Sequence, residues 1–256
     1  MLVVTLIMNT LATVGVLNGM TQKQVSDLND TLITPSGLTF SIWAVLYTLM
    51  IICVIILFVK KDDPYYQRVT EKTSLLFWLS CIFNIAWTIS FSYLQIGLST
   101  IFIIGLLISL MLLTKKISEL QVNHQWLFPL TVGLYAGWIF IATVVNIAAW
   151  LVNIEWGALG MSHDAWAIII AIIATALAIL VSLDNRNAFF TLPIAWAFLG
   201  IRNARAEDGG HGGVKVVSLI MMAILLVWVG IQLFRNDWHL APAHPAEEPT
   251  PAEENV

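Results

Sequence analysis

The sequence predicts an all-α protein that crosses a membrane several times. Of its 256 residues, 59% are hydrophobic and only 11% are charged, whereas a soluble domain has about 25% charged residues. The mean hydropathy is +0.84. A membrane helix needs roughly 20 mainly apolar residues. We identify eight candidate segments: 2–19, 40–59, 74–94, 97–114, 127–151, 164–183, 187–204 and 214–234.

The first and seventh segments decide how many spans are expected. Segment 2–19 lacks the basic start and the small-residue cleavage site of a signal peptide, so we expect a permanent helix. Segment 187–204 is short and contains Pro193, which membrane helices tolerate. We therefore favour eight spans, although seven spans result if 187–204 is re-entrant.

Basic residues predict the orientation of the chain, because cytoplasmic loops collect Lys and Arg. With eight spans, one side of the membrane holds Lys60, Lys61, Arg68, Lys72, Lys115, Lys116, Arg186 and Arg235. The other side holds Lys23, Arg202, Arg205 and Lys215. If 187–204 is re-entrant, the basic residues are distributed even more unequally between the two sides of the membrane. With eight spans we expect both termini in the cytoplasm, in a bacterial cell membrane.

Two segments outside the spans are long and polar, namely the first loop and the C-terminal tail. The first loop, 20–39, is long enough to cover a helix bundle as a lid, and an exposed linker explains it equally well. Residues 236–256 are rich in Pro, Glu and Ala and have little to bury, so we expect a disordered acidic tail. The net charge of −4 argues against a nucleic-acid partner.

Three of the predicted spans carry aromatic side chains on one face. The second span places Trp43 and Tyr47 four residues apart, and the third places Asn84 close to Trp87. In the fifth span, with Tyr135 nearby, a stripe recurs every four residues: Trp138, Ala142, Asn146 and Trp150. Because an amide is costly to expose to lipid, this stripe is expected to face other helices or a cavity.

The aromatic and amide side chains each have two explanations. Trp residues can anchor helix ends at the membrane surface, but Trp87 and Trp138 lie well inside their spans. Asn84 and Asn146 can join helices through hydrogen bonds worth about 0.6–2 kcal/mol, or they can line a ligand site. We favour the ligand site, with helix joining as a by-product.

The remaining motifs indicate packing rather than chemistry. Gly133 and Gly137 form a GxxxG motif, which indicates close helix packing or a homodimer seam. Cys53 and Cys81 lie within spans and are expected to be small core residues. The His residues lack metal-ligand spacing, and the spans hold almost no ionisable residue. We predict no catalytic residue, no metal ligand and no required cofactor. A neutral, aromatic-rich cavity suits a flat, largely apolar ligand.

These segments resemble the TspO/MBR family, the tryptophan-rich sensory proteins related to the mitochondrial translocator protein. The matching positions are Trp43, Tyr47, Asn84, Trp87, Tyr135, Trp138, Ala142, Thr143, Asn146 and Trp150. The fifth span matches at the family's spacing, and the second span matches more loosely. The resemblance covers about residues 1–152.

The resemblance implies a five-helix bundle in residues 1–152, followed by about three additional transmembrane helices in 153–235. It also implies a cavity under the first loop that binds tetrapyrroles such as porphyrin or haem. The residues expected to bind the ligand are Trp43, Tyr47, Asn84, Trp87, Tyr135, Trp138, Ala142 and Asn146.

The expected function is therefore that of a membrane binding or sensory protein for a planar hydrophobic ligand. Its expected partners are the lipid bilayer, the small ligand and, if the GxxxG motif is a seam, a second copy of the chain. Two alternatives stay open. The additional helices are compatible with a small-molecule transporter, and Trp residues beside a cavity are compatible with an enzyme that degrades porphyrin.

Overall fold

In a computed structural model, residues 1–122 and 125–242 are described, and they fold into a bundle of α-helices. The α-helices of this part are α1 (Leu2–Thr13), α2 (Gln22–Leu28), α3 (Ile42–Val59), α4 (Pro64–Ser92), α5 (Ile96–Glu119), α6 (Leu127–Asn153), α7 (His163–Asn185), α8 (Leu192–Glu207) and α9 (Gly212–Arg235). The predicted all-α class is confirmed.

Among the described residues, six helices are long and apolar enough to cross a membrane. They are α3 with the 3-10 turn before it, α4, α5, α6, α7 and α9. The helix α1 has only 12 residues and α8 only 16. These helices support a multi-pass membrane protein, while the count of eight spans stays a prediction.

The first helix ends earlier than the apolar segment 2–19 predicts. Gly15 adopts a left-handed conformation with φ of 78°, which L side chains disfavour. The Gly15 N–H then donates to the Ala12 carbonyl oxygen at 3.3 Å, and the Val16 N–H donates to that of Leu11 at 2.9 Å. This pair of bonds is the Schellman motif. Hydropathy alone does not detect this stop, because the residues after it are still apolar.

The helix α4 begins ten residues before the predicted start of its span. Pro64 occupies the first turn, where its missing N–H costs nothing. Asp63 caps the helix, since its side chain accepts a hydrogen bond from the Tyr65 N–H at 2.9 Å. Most of the predicted loop 60–73 is therefore helical, because capping signals rather than hydropathy set the boundary.

The helices after α6 pack onto the bundle that precedes them. The helix α4 lies along α5, and α5 along α6, while α1 packs against α4 and α3 against α6. The helix α8 packs against both α6 and α9, and α7 packs against α9. Since α8 lies between α6 and α9, it connects the five helices that the resemblance implies with the rest of the chain.

The GxxxG motif of α6 allows the segment between α7 and α8 to pack closely against α6. A Cβ at Gly137 would overlap the carbonyl oxygen of Phe190, and a Cβ at Gly133 would overlap the Asn187 side chain. Asn187 also donates from Nδ2 to the Pro129 carbonyl oxygen at 2.7 Å. Small residues permit such contacts. This face of α6 is therefore covered by the chain itself.

The first residues of the predicted tail contact the bundle. Asn236 donates from Nδ2 to the Arg186 carbonyl oxygen at 2.7 Å, and the Ala188 N–H donates to the Leu240 carbonyl oxygen at 2.8 Å. Residues 236–242 are thus held beside the turn between α7 and α8. The rest of the predicted disordered tail, 243–256, lies outside the described residues.

Candidate ligand-binding site

Five aromatic rings from α3, α4 and α6 meet inside the bundle. Trp43 stands at the centre of this ring cluster, stacked on Tyr47 with ring centroids 5.1 Å apart and an interplanar angle of 18°. Trp87 and Trp138 each lie 6.1 Å from Trp43, and the Trp138 ring is almost perpendicular to it. Tyr135 lies 6.2 Å away, edge-on. These distances are those of favourable aromatic pairs, so three helices are joined by ring contacts.

A cavity of about 50 Å³ lies on the outer side of this ring cluster, beneath the first loop. Five of the eight residues predicted to bind ligand line it: Trp43, Trp87, Trp138, Ala142 and Asn146. Every residue that lines it is uncharged. The four-residue repeat of the fifth span thus places Trp138, Ala142 and Asn146 on the cavity wall. Its last member, Trp150, does not line the cavity and is exposed.

The other three predicted residues lie one helical turn deeper in the bundle and do not line the cavity. Asn84 is fully buried, where it donates to the Tyr135 hydroxyl at 2.9 Å and accepts from the Asn9 amide at 2.6 Å. Thr88 donates to the Asn9 side-chain oxygen at 3.2 Å. Tyr47 supports the Trp43 ring from below. These side chains join α1, α4 and α6 beneath the site.

Asn146 lines the cavity, but its amide is engaged by the protein. Its Oδ1 accepts from the Trp87 indole N–H at 3.0 Å and from the Ser99 hydroxyl at 3.3 Å. Its Nδ2 donates to Ser99 Oγ at 3.1 Å and to Thr100 Oγ1 at 2.8 Å. The amide therefore ties α4, α5 and α6 together and fixes the orientation of the Trp87 ring.

Two donors at the cavity wall lack hydrogen bonds. Within the described residues, neither the Trp138 indole N–H nor Gln22 Nε2 has a partner, and both atoms are buried. Both side chains line the cavity. Buried donors are nearly always satisfied, because leaving one without a partner costs about 1–3 kcal/mol. An acceptor group that reached either donor would remove this cost.

The first loop covers this cavity as a lid. It contains the short helix α2, which begins with a capping box in which Thr21 and Gln24 bond to each other's backbone N–H. Val25 and Ile33 are buried against the bundle. The loop supplies Gln22, Ser26 and Pro35 to the cavity wall. Of the two interpretations of segment 20–39, the lid agrees with the structure.

The lid is also tied to α8. The side chain of Arg205 is buried, and it lies 3.7 Å from the Asp30 carboxylate in the lid and 3.1 Å from that of Asp208. The Trp196 indole donates to the Thr39 carbonyl oxygen at 3.0 Å. In addition, α8 supplies Ala197 to the cavity wall, so the site is shared between the first helices and those that follow α6.

The sequence interpretation missed the lid residues at the cavity wall and also Phe40, Phe91 and Ala197. It missed three further residues of α6 as well: Ile141, Val145 and Ala149. One available signal was Thr21-x-x-Gln24, a capping-box pattern that indicates a helix start. It would have predicted α2, although not the surface on which α2 packs. No local signal marks Ala197, which reaches the cavity only because α8 packs against α6.

The described residues contain no group of three His, Cys, Asp or Glu side chains placed to hold a metal ion. His211 faces Asp164 with its Nδ1 3.0 Å from the carboxylate oxygens, but this pair lies at the ends of α7 and α9, away from the cavity. The candidate site is therefore a neutral, aromatic one.

One comparison with known proteins matches almost the whole chain. A family model described as TSPO-like protein matches residues 1–231. No curated protein and no solved structure matches the chain. The matched range continues well past residue 152, where the resemblance was expected to end. It includes α7, α8 and most of α9, in agreement with the packing of these helices onto α6.

Proposed function

Because this chain belongs to the TSPO-like protein family, a family of membrane proteins, we propose that it binds or senses a planar, largely apolar ligand. A tetrapyrrole such as porphyrin or haem is the example that the resemblance suggests. The bound molecule would lie among the rings of Trp43, Trp87 and Trp138, under the lid.

The observation that carries this proposal is the pair of unpartnered donors in an apolar cavity. Trp138 Nε1 and Gln22 Nε2 both require an acceptor, and the rest of the wall offers stacking surface. A ligand with a flat apolar body and a carbonyl or carboxylate edge satisfies both requirements. Purely apolar molecules would leave the two donors without partners.

The size of the cavity indicates that binding requires the lid to move. Ligand pockets typically have volumes of about 300–1,000 Å³, whereas this cavity has about 50 Å³. Pro35, which lines the cavity wall, belongs to the lid, the segment that would have to shift. The structure thus corresponds to a closed form, and ligand would bind to a form with the lid displaced.

A neighbouring pocket contains two cations that a ligand carboxylate would have to share with protein carboxylates. Pro35 lines both the cavity and a pocket of about 180 Å³ that contains Lys23 and Arg205. Lys23 pairs with Asp27 in the closed form. Arg205 is likewise paired with Asp30 and Asp208. An acidic ligand edge would therefore bind these cations only where a shift of the lid separates them from their present partners.

Fluorescence titration of the purified protein with protoporphyrin tests the proposal. Trp138→Phe removes the unpartnered N–H and retains most of the ring, so we expect about a tenfold loss of affinity, which corresponds to about 1.4 kcal/mol. Adding Trp43→Phe should weaken binding further. The Trp138 N–H itself should contribute nothing to the stability without ligand, since Nε1 has no protein partner to lose. Any loss of stability would therefore report the smaller ring.

Trp78→Phe is the matched control, because Trp78 is exposed on the lipid-facing side of α4. It should leave the affinity unchanged. Equal affinities for the wild type, Trp138→Phe and the double variant would show that protoporphyrin does not bind at this site.

A further inference from the structure

A second apolar space lies on another face of α8, outside the cavity. It has a volume of about 560 Å³ and is bordered by α3, α6, α8 and α9. Its walls are nearly all apolar and include Val45, Leu134, Leu199, Met222 and Leu226. Because these helices are membrane-spanning or packed between spans, the space opens toward lipid rather than toward water.

A polar pocket of about 400 Å³ lies at the outer end of this apolar space. On α8, Leu192, Trp196 and Leu199 line the apolar space, and Arg202 and Ala206 line the polar pocket. These residues follow one another at steps of three and four, so they form one stripe along the helix. Segment 36–42 provides the second wall of both. We call the two spaces together the α8 groove.

Arg202 stands at the polar end of the α8 groove with most of its donors unused. Its only polar contact within the described part of the chain is the Asn203 side-chain oxygen, 3.1 Å from Nη1. Its guanidinium carries five N–H donors and is half-buried. Glu207 also lines this pocket, but it is exposed at the rim, where water and salt screen its charge.

We propose that the α8 groove binds one anionic phospholipid of the surrounding bilayer. An acyl chain fits the apolar space at membrane depth, and the phosphate reaches Arg202 at the polar end. The fork of a guanidinium binds phosphate through two parallel hydrogen bonds. An apolar channel that ends at an arginine with most of its donors unused therefore matches a lipid phosphate. An acidic lipid fits better than phosphatidylcholine, because its headgroup carries no cation that competes with Arg202 for the phosphate.

The α8 groove is separate from the cavity of the proposed function. The Trp196 ring forms part of its wall, and its N–H is already bonded to the Thr39 carbonyl oxygen. Phe40 faces the cavity, whereas Ser41 and Ile42 face the groove. Lipid binding in the groove can therefore be tested without reference to protoporphyrin.

Native mass spectrometry of the purified protein in detergent can count retained lipids. Dioleoyl phosphatidylglycerol and dioleoyl phosphatidylcholine, which share their acyl chains, are the two probes. We expect one phosphatidylglycerol to be retained about tenfold more strongly than phosphatidylcholine. Arg202→Gln should remove this preference, whereas Lys215→Gln, which removes a charge at the same end of the protein outside the groove, should preserve it.

The apolar half of the groove is tested by narrowing it. Val45→Trp with Leu226→Trp places two large rings at exposed positions of its walls and should abolish retention of phosphatidylglycerol. Ala44→Trp with Val227→Trp places the same rings on the adjacent exposed positions and should leave retention intact. The proposal is wrong if the wild type retains both lipids equally, or if Arg202→Gln and Lys215→Gln behave alike. Retention of oleic acid in place of phosphatidylglycerol would also overturn it. Melting curves confirm that each variant is folded.

Discussion

The indole N–H of Trp87 donates to the side-chain oxygen of Asn146 at 3.0 Å, and both side chains are buried inside the bundle. This bond joins α4 to α6 and holds one wall of the cavity in place. Because Asn146 also bonds Ser99 and Thr100 of α5, a single amide fixes three helices. Asn146 therefore joins the helices and shapes the cavity wall through the same hydrogen bonds, because its amide fixes the orientation of the Trp87 ring.

Replacing Asn146 with Leu should therefore act first on stability. The change leaves the buried Trp87 N–H without a partner, and we expect the free energy of unfolding without ligand to fall by about 1–2 kcal/mol. Ligand affinity should also fall, because the Trp87 ring loses its fixed orientation. Melting curves with and without protoporphyrin measure both effects. Thr143→Val is the control on the same helix, because the Thr143 hydroxyl bonds only within α6. An unchanged melting temperature for Asn146→Leu would contradict this role.

Asn84 should behave differently from Trp138, although both were predicted to bind ligand. Asn84 does not line the cavity, and its amide joins Asn9 of α1 to Tyr135 of α6. We expect Asn84→Leu to lower the free energy of unfolding by about 1–2 kcal/mol, with affinity falling only in proportion. Trp138→Phe should show the reverse pattern. A variant Asn84→Leu that melts normally but no longer binds protoporphyrin would place Asn84 in the ligand site after all.

The GxxxG motif gives a prediction about packing within the chain. Gly137→Ala should destabilise the protein by about 1–3 kcal/mol, because its methyl group meets the backbone carbonyl of Phe190, which no side-chain rotation can clear. The elution volume in size-exclusion chromatography should stay that of the wild type. If the variant instead changes the oligomeric state with no loss of thermal stability, the motif serves a dimer.

Gly230→Ala is the matched control for this substitution. Gly230 lies inside α9, in the last third of the helix, and a Cβ there meets no atom of the described chain within 4 Å. Alanine favours a helix over glycine by about 1 kcal/mol, so this variant should be at least as stable as the wild type. The difference between the two variants isolates the close contact at α6 from the general effect of adding a methyl group.

The sequence predicted which face of each helix points into the bundle. It was less successful in predicting the level along the helix at which the cavity lies. The four-residue spacing of Trp138, Ala142 and Asn146 is a local property of the helix, so it placed all three on the cavity wall. The same spacing cannot distinguish one turn from the next. Tyr135 and Asn84 therefore lie on the correct side of their helices but below the cavity, in the polar contacts that join the helices.

Positions contributed by distant segments could not be predicted in the same way. Gln22 and Ala197 reach the cavity because the lid folds back over the bundle and α8 packs against α6. Neither event leaves a periodic pattern near these residues. Two helix boundaries are intermediate cases: the early end of α1 at Gly15 and the early start of α4 at Pro64. Capping residues in the sequence indicate both boundaries, but the predicted segments were bounded by hydropathy instead.

The ion pair between Asp30 and Arg205 should control how readily the lid opens. Asp30 belongs to the lid and Arg205 to α8, and their charged atoms lie 3.7 Å apart. A half-exposed pair of this kind contributes at most about 1 kcal/mol. We therefore expect Asp30→Asn to accelerate protoporphyrin association by up to about fivefold. Arg205 keeps Asp208 as a partner at 3.1 Å, so the variant should fold normally.

Stopped-flow fluorescence at low and high salt measures this effect and includes its own internal check. High salt screens the pair, so the wild type should approach the rate of Asp30→Asn as the salt concentration rises. Asp27→Asn is the matched control, because Asp27 pairs with Lys23 inside the lid and does not bridge to α8. Its association rate should match that of the wild type at every salt concentration. Equal acceleration by Asp27→Asn and Asp30→Asn would mean that the lid responds to its net charge and not to the bond that ties it to α8.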